Sequence, residues 1–433
     1  MAGMTTHSGS NRRFLLLQGP HGPFFDRLGR GLQAAGHAVW RAGFNRGDSA
    51  FWSDRACYVP VTCPPADWPM ACARLLDRLA ITDIVLYGDT RPVHATAIAA
   101  ARARGLRIHI FEEGYLRPWW VTYERDGANG HSRLMDLSIP HIAALMPGEA
   151  PPAAEAPAHW GDLRAHMVHG ALYHGLVMLP SRRYRHYRPH RGLPVRAEFA
   201  LYLRRLALLP LHAAARFAAT RRIRRGGFPY HLVLLQLAHD ANFRHHGPFA
   251  RIEDFLALCI EGFARGAPAH HHLVFKAHPL EDGRSPLPGT IRALARAQGL
   301  AGRVHFVPGG KLALLLDGAN SAVTVNSTAA QQALWRGLPL RAFGRAVYDK
   351  PELVSDQPLA EFFADPQRPD PAAYRLFRRF LLETSQVPGG FYARAGRDQV
   401  MRRVVDLMLA EADPYDLRSA PNAALTQHLR LAG

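Results

Sequence analysis

Three short clusters in this sequence combine side chains that do chemistry, and each directly follows a run of strand character. The first is Glu112-Glu113-Gly114, which closes the apolar run Ile108–Phe111 and has Arg117 close behind. A carboxylate at a strand end can take a proton from a hydroxyl or attack an electrophilic carbon. Successive side chains on a strand point to opposite faces, so one of the two carboxylates faces a ligand. Glu113 is the expected one and Glu112 the alternative, with Gly114 supplying a tight turn at positive φ. The second cluster is Lys276-Ala277-His278-Pro279, at the end of His272–Lys276. An ammonium and an imidazole there suit a phosphate, and Pro279 restrains the loop and biases His278 toward extended backbone. The third is Asn326-Ser327-Thr328, between the run Ala322–Val325 and a helical stretch from Ala329 to Arg336. These residue types cap helices, and the amides of a helix start seat a phosphate; capping alone is the plainer alternative. Asp240, in Gln236-Leu-Ala-His-Asp240, follows another strand-like run and is a further candidate acid or base. The run His270-His271-His272 lacks carboxylate or cysteine neighbours, so no metal site is expected.

The elements that must hold these clusters alternate. Short apolar runs at Arg13–Gln18, Ile84–Tyr87 and Ile108–Phe111 are separated by amphipathic stretches at Phe24–Gly36 and Val93–Gly105. The same rhythm returns at His231–Gln236, Phe249–Gly266, His272–Lys276, Val304–Val307 and Ala322–Val325. Strands alternating with helices predict parallel sheets covered on both faces, and ligands bind beyond the carboxyl ends of such strands. The expected organisation is a first doubly wound domain over 1–150, a basic helical insert over 151–226, and a second doubly wound domain over 227–433 with C-terminal helices. A Pro/Ala/Glu-rich linker runs from Pro147 to Pro157, and helical spacing dominates Ala197–Arg225. Two Rossmann-type domains facing a cleft make the α/β architecture called GT-B.

Composition narrows the partners. The 433 residues are too many for one ordinary core, and 48% hydrophobic residues suffice for two. Lys+Arg 53 against Asp+Glu 35 leaves a formal charge of +18, nearly all of it on arginine, which favours a phosphate-bearing substrate or an anionic membrane surface. No recognisable basic reading helix, zinc finger or RNA-binding signature accompanies that charge, so nucleic acid is not an expected partner. Four cysteines without paired spacing fit a reducing compartment. The polar segment Met1–Arg13 reads as neither signal peptide nor anchor, and membrane contact is expected to be peripheral.

The clusters also sit inside longer stretches that resemble the capsule polysaccharide synthesis and export family. These are Gly19–Phe25, Tyr87–His94, Phe111–Pro118, Gln236–Phe249, Lys276–Pro279, Val325–Thr328 and Gln386–Tyr392. The trio of acid-acid-Gly, His-Pro and Ser-Thr is similar to that of bacterial sialyltransferases, which use a cytidine monophosphate (CMP) donor. The resemblance implies a transferase moving 3-deoxy-D-manno-octulosonic acid (Kdo) from CMP-Kdo to a phosphatidylglycerol-type lipid, or to Kdo already on it, at the cytoplasmic side of the inner membrane. It implies Glu113 or Glu112 as the catalytic carboxylate, base or nucleophile, with retention of configuration favouring the latter. Donor and substrate contacts would be Lys276, His278, Pro279, Asn326, Ser327 and Thr328, joined by Gly19, Asp89, Arg91, Arg117 and Gln236. Neither metal nor other cofactor is implied, and other capsule synthesis or export proteins are implied partners. A non-catalytic export or assembly factor is the alternative.

Overall fold

The computed structural model describes residues 11–117, 119–146, 148, 162–188, 195–281 and 283–416. Most of the linker expected over Pro147–Pro157 lies outside them. The chain divides into two compact units, the first made of 1–128, 154–196 and 384–433, the second of 129–153 and 197–383.

In the first unit the strands are β1 (Arg13–Leu16), β2 (Ala38–Gly43), β3 (Tyr58–Pro60), β4 (Asp83–Tyr87), β5 (Arg107–Glu113) and β6 (Trp120–Arg125), completed from the far end of the chain by β12 (Gln386–Pro388). They lie in the order β12-β6-β5-β4-β1-β2-β3. All pairs are parallel except those that β6 makes with β5 and with β12. Period-2 alternation divides the core. Phe14, Leu16, Val85 and Phe111 pack on one face of the sheet with Phe24, Val400 and Val404. Leu15, Leu17, Ile84, Leu86, Ile108 and Ile110 pack on the other with Trp68, Leu76 and Ile98. Both faces are covered by helices, which is why these strands read as continuous apolar runs.

The second unit holds the five parallel strands β7 (Tyr230–Leu234), β8 (His272–Lys276), β9 (Val304–Val307), β10 (Ala319–Thr324) and β11 (Leu340–Ala342), in the order β11-β10-β7-β8-β9. The helix Ile252–Gly266 buries Phe255, Leu256, Ile260 and Phe263 in a core shared with Val233, Leu273, Phe275 and Phe362. Two doubly wound parallel-sheet units of this kind are the components of a GT-B-like α/β fold.

The boundaries differ from the expected 1–150, 151–226 and 227–433. Residues 384–433 belong to the first unit, because β12 adds to the edge of its sheet and the helix Arg394–Leu409 buries Val400, Val404 and Met408 in its core. Residues 129–153 belong to the second, where the buried ammonium of Lys350 donates to the carbonyls of Leu134 (2.6 Å) and Met135 (3.2 Å). The helical insert is shared out as well. The helix Asp162–Met178 joins the first unit through Tyr173, and the helix Leu209–Arg225 joins the second through Ala219, Thr220 and Ile223.

Candidate functional site

Each sheet reverses its strand order once, and such switch points open crevices at the carboxyl ends of the strands. In the first unit the reversal falls between β1 and β4. The loop after β1 carries Gln18 and Gly19, the loop after β4 carries Gly88, Asp89 and Arg91, and β5 ends next door in Glu112 and Glu113.

The strand alternation separates the two carboxyl groups as expected. Glu113 Oε1 accepts hydrogen bonds from the hydroxyls of Tyr87 (3.1 Å) and Tyr392 (3.2 Å). Burial, and then the charge of Glu113, push the Tyr87 hydroxyl well above its ordinary pKa, so it stays a donor. Glu112 turns instead toward the loop after β4. Gly88 adopts φ +74°, which favours glycine, and a Cβ there would stand 3.0 Å from Glu112 Oε1 and crowd that carboxyl. Burial is the largest influence on the Glu112 carboxyl. The charges of Asp89 and Glu113 add to it, Arg117 and Arg91 oppose it, and the result is a pKa of about 8. Two adjacent carboxyl groups with different surroundings can divide acid and base roles between them.

Around this pair the loops are tied down. Asp89 is buried and accepts from the Ala128 amide at 3.1 Å. His94 Nδ1 lies 2.7 Å from the Gly88 carbonyl, so that nitrogen carries the proton and donates. Arg91 stacks over the Tyr87 ring and donates to Gln18 Oε1 at 3.2 Å. Gln18 in turn donates to the Tyr173 hydroxyl at 3.1 Å, which also takes a bond from Asn45 Nδ2 and donates to Asp48. Arg117 is exposed and its Nε donates to the Gly114 carbonyl at 3.2 Å. Gly19 is a packing glycine, since a Cβ would come within 2.7 Å of the Phe25 ring.

Gly114 is not among the glycines at positive φ, contrary to expectation. Its requirement is close approach, because a Cβ would lie 2.2 Å from the Trp120 carbonyl across the β5–β6 pair. Gln386 of β12 holds the same turn, its Oε1 accepting from the amides of Tyr115 (2.9 Å) and Leu116 (3.3 Å). The roles of Tyr87, Tyr392 and Gln386 are absent from the sequence reading. Their one signal there is that all three fall inside stretches matched to the family.

In the second unit the reversal falls between β7 and β10. Gln236, just after β7, and Asn326, just after β10, pair reciprocally across it. Gln236 Nε2 donates to Asn326 Oδ1 at 2.8 Å, and the Asn326 amide donates to Gln236 Oε1 at 3.1 Å. Asn326 Nδ2 also donates to the Asn242 carbonyl at 2.8 Å. Ser327 Oγ accepts from the Ala329 amide at 3.2 Å, and the Ser327 carbonyl accepts from Tyr348 Oη at 2.7 Å. The helix expected over Ala329–Arg336 is shorter: a 3-10 turn, Thr328–Ala330, leads into Gln331–Trp335. So short an element has little dipole, and Ser327 acts in it as a cap, with Thr328 half-buried beside it.

Lys276 and His278 follow β8. The Lys276 ammonium is buried, donates to the Ala277 carbonyl at 3.3 Å, and burial pushes it down to about 8. His278 Nδ1 accepts from the Leu280 amide at 3.1 Å, which in the neutral imidazole puts the proton on Nε2, while Pro279 is exposed. Asp240 caps the short helix Ala241–His246, accepting from the Asn242 amide at 2.9 Å. His272 stands at the opposite, amino-terminal end of β8, its Nδ1 2.7 Å from His305 Nε2 and its ring stacked on Phe228.

The molecule is therefore a two-unit α/β protein whose polar side chains gather at the switch point of each sheet. It belongs to the capsule polysaccharide biosynthesis protein family, whose model matches residues 82–392. The "Capsule polysaccharide export protein KpsS" of Escherichia coli is 30% identical to it over 398 residues, 88% of this chain and 97% of that protein. The "Capsule polysaccharide modification protein LipB" of Neisseria meningitidis serogroup A is 30% identical over 396 residues, 89% of this chain and 93% of that protein. Among solved structures, a β-Kdo 2,7 transferase, KpsC of Thermosulfurimonas dismutans, aligns over 92% of this chain and all of its own, at 14% identity and a TM-score of 0.44.

Proposed function

We propose that this protein is a glycosyltransferase of capsule biosynthesis that moves Kdo from CMP-Kdo to a phosphatidylglycerol-type lipid, or to Kdo on that lipid, in building a poly-Kdo linker. The observation that carries the reading is the Glu112–Glu113 pair at the end of β5, one carboxyl held by two tyrosine hydroxyls and the other with a pKa near 8. In the proposed double displacement Glu113 attacks the anomeric carbon and CMP leaves with the bonding pair. Glu112, in its carboxylate form, then takes the proton of the acceptor hydroxyl as that oxygen displaces Glu113, so configuration is retained. Arg91 and Arg117, whose charges reach Glu112, favour its ionised form. In the second unit, Lys276, His278, Ser327 and Thr328 are proposed to hold the donor's phosphate and carboxylate, on a frame set by Gln236 and Asn326. Asp240, which caps the helix Ala241–His246, has no step in this scheme, since the two carboxyl groups at the end of β5 complete it. The scheme uses no metal, and places the protein in the cytoplasm against the inner membrane.

The test is to incubate purified protein with labelled CMP-Kdo and an acylglycerol phosphate. A labelled Kdo-lipid from the wild type and none from Glu113→Ala is expected. A Glu113→Ala protein with undiminished transfer removes the catalytic assignment. A wild type that neither transfers Kdo nor responds to CMP in a thermal shift supports a non-catalytic export or assembly factor.

A further inference from the structure

The helix Leu209–Arg225 changes character along its length. Its last third buries Ala219, Thr220 and Ile223 in the second unit, near β9 and the short helix Ala313–Leu316. From Leu209 to Ala218, by contrast, every residue except the half-buried Arg216 is exposed. That stretch reads Leu-Pro-Leu-His-Ala-Ala-Ala-Arg-Phe-Ala, so apolar side chains ring the helix rather than lining one face. Leu211 and Phe217 are 67% and 69% exposed. A helix facing water normally turns a polar surface outward, and grouped large apolar residues mark a contact surface.

Charge decides which occupant fits. Between Asp162 and Asp240 the sequence has one acid, Glu198, against fourteen arginines. Four of these, Arg221, Arg222, Arg224 and Arg225, are exposed on the same helix directly after its apolar stretch. A second copy of this chain, at +18, would set like charges against one another, whereas an anionic lipid surface complements both features. No described helix is long and apolar enough to cross a membrane, so the contact suited to this segment is interfacial.

We propose that residues 209–218 seat the protein on an anionic bilayer, Leu211 and Phe217 entering the acyl boundary and Arg221–Arg225 resting on lipid phosphates. The inference deepens the membrane half of the proposed function and is independent of the transfer chemistry.

Vesicle flotation of the full chain tests it. The wild type is expected to float with phosphatidylcholine vesicles containing phosphatidylglycerol and, much less, with phosphatidylcholine alone, and to be released as salt rises. Leu211→Glu with Phe217→Glu, both exposed and so harmless to folding, should weaken flotation roughly tenfold or more with an unchanged melting temperature. Arg221→Glu with Arg225→Glu should remove the preference for the anionic lipid. Flotation unaltered by the first pair overturns the proposal. So does wild-type self-association in sedimentation velocity that this pair abolishes while vesicle binding persists. A CMP thermal shift run in parallel separates the two readings: the shift without flotation sinks this surface alone, and flotation without the shift sinks the donor assignment alone.

Discussion

The two switch points differ in what their polar groups are tied to. In the second unit, Gln236 and Asn326 spend much of their hydrogen-bonding capacity on each other and on backbone, which makes a neutral frame that fixes two loops. In the first unit the acidic pair meets tyrosine hydroxyls and charged neighbours, and burial holds one of its protons near pH 8. The difference separates positioning from reactivity: a frame of mutual amides is rigid and inert, whereas carboxyl groups in unequal surroundings are poised to exchange protons.

Substitutions can break that comparison. The largest effect is expected at Glu113, where Glu113→Gln should lower Kdo transfer by about 10⁴-fold or more with an unchanged melting temperature. The reverse result, lost stability with transfer retained, would make the first cluster a frame like the second. Gln236→Ala should do what Glu113→Gln does not, leaving buried Asn326 groups unpaired and costing about 1–3 kcal/mol, read by urea unfolding. Tyr392→Phe removes one donor to Glu113 and should cost transfer about tenfold, with little change in donor KM.

The pH dependence tests the other carboxyl of the pair. If the ionised form of Glu112 serves as base, transfer rises as pH passes through about 8, and Glu112→Gln loses that limb of the profile. The stability dependence has the opposite sign. A carboxyl whose folded pKa lies above its unfolded value binds more protons in the native state between the two values, so stability falls as pH rises from below 4.5 through about 8. Melting temperatures at pH 5 and pH 8 should therefore differ less in Glu112→Gln than in the wild type.

Much of this was legible in the residues. β1, β4, β5, β7, β8 and β10 are largely buried on both faces, so each appears as a short apolar run, and the clusters that follow those runs do lie at strand ends. β6 was not legible. Its sequence, Trp-Val-Thr-Tyr-Glu-Arg, reads as polar at its end, yet all six residues are buried. Glu124 accepts from the hydroxyls of Tyr115 and Tyr415, and Arg125 donates to the carbonyls of Leu407, Ala410 and Glu411. Apart from Tyr115, these partners arrive from nearly three hundred residues away and leave no local pattern. The C-terminal return to the first sheet was missed for the same reason.

The sequence by itself determined the strand–helix alternation, the identity of the polar residues at the strand ends and the family, because burial periodicity and turn chemistry are written over a few neighbouring positions. Only the tertiary structure decided that Glu112 looks toward Gly88, Asp89 and Arg91 while Glu113 looks toward Tyr87 and Tyr392, and only it exposed the apolar start of the helix Leu209–Arg225. A side chain's partners and its dielectric surroundings come from segments brought together by folding, and those set its proton affinity and its exposure to solvent.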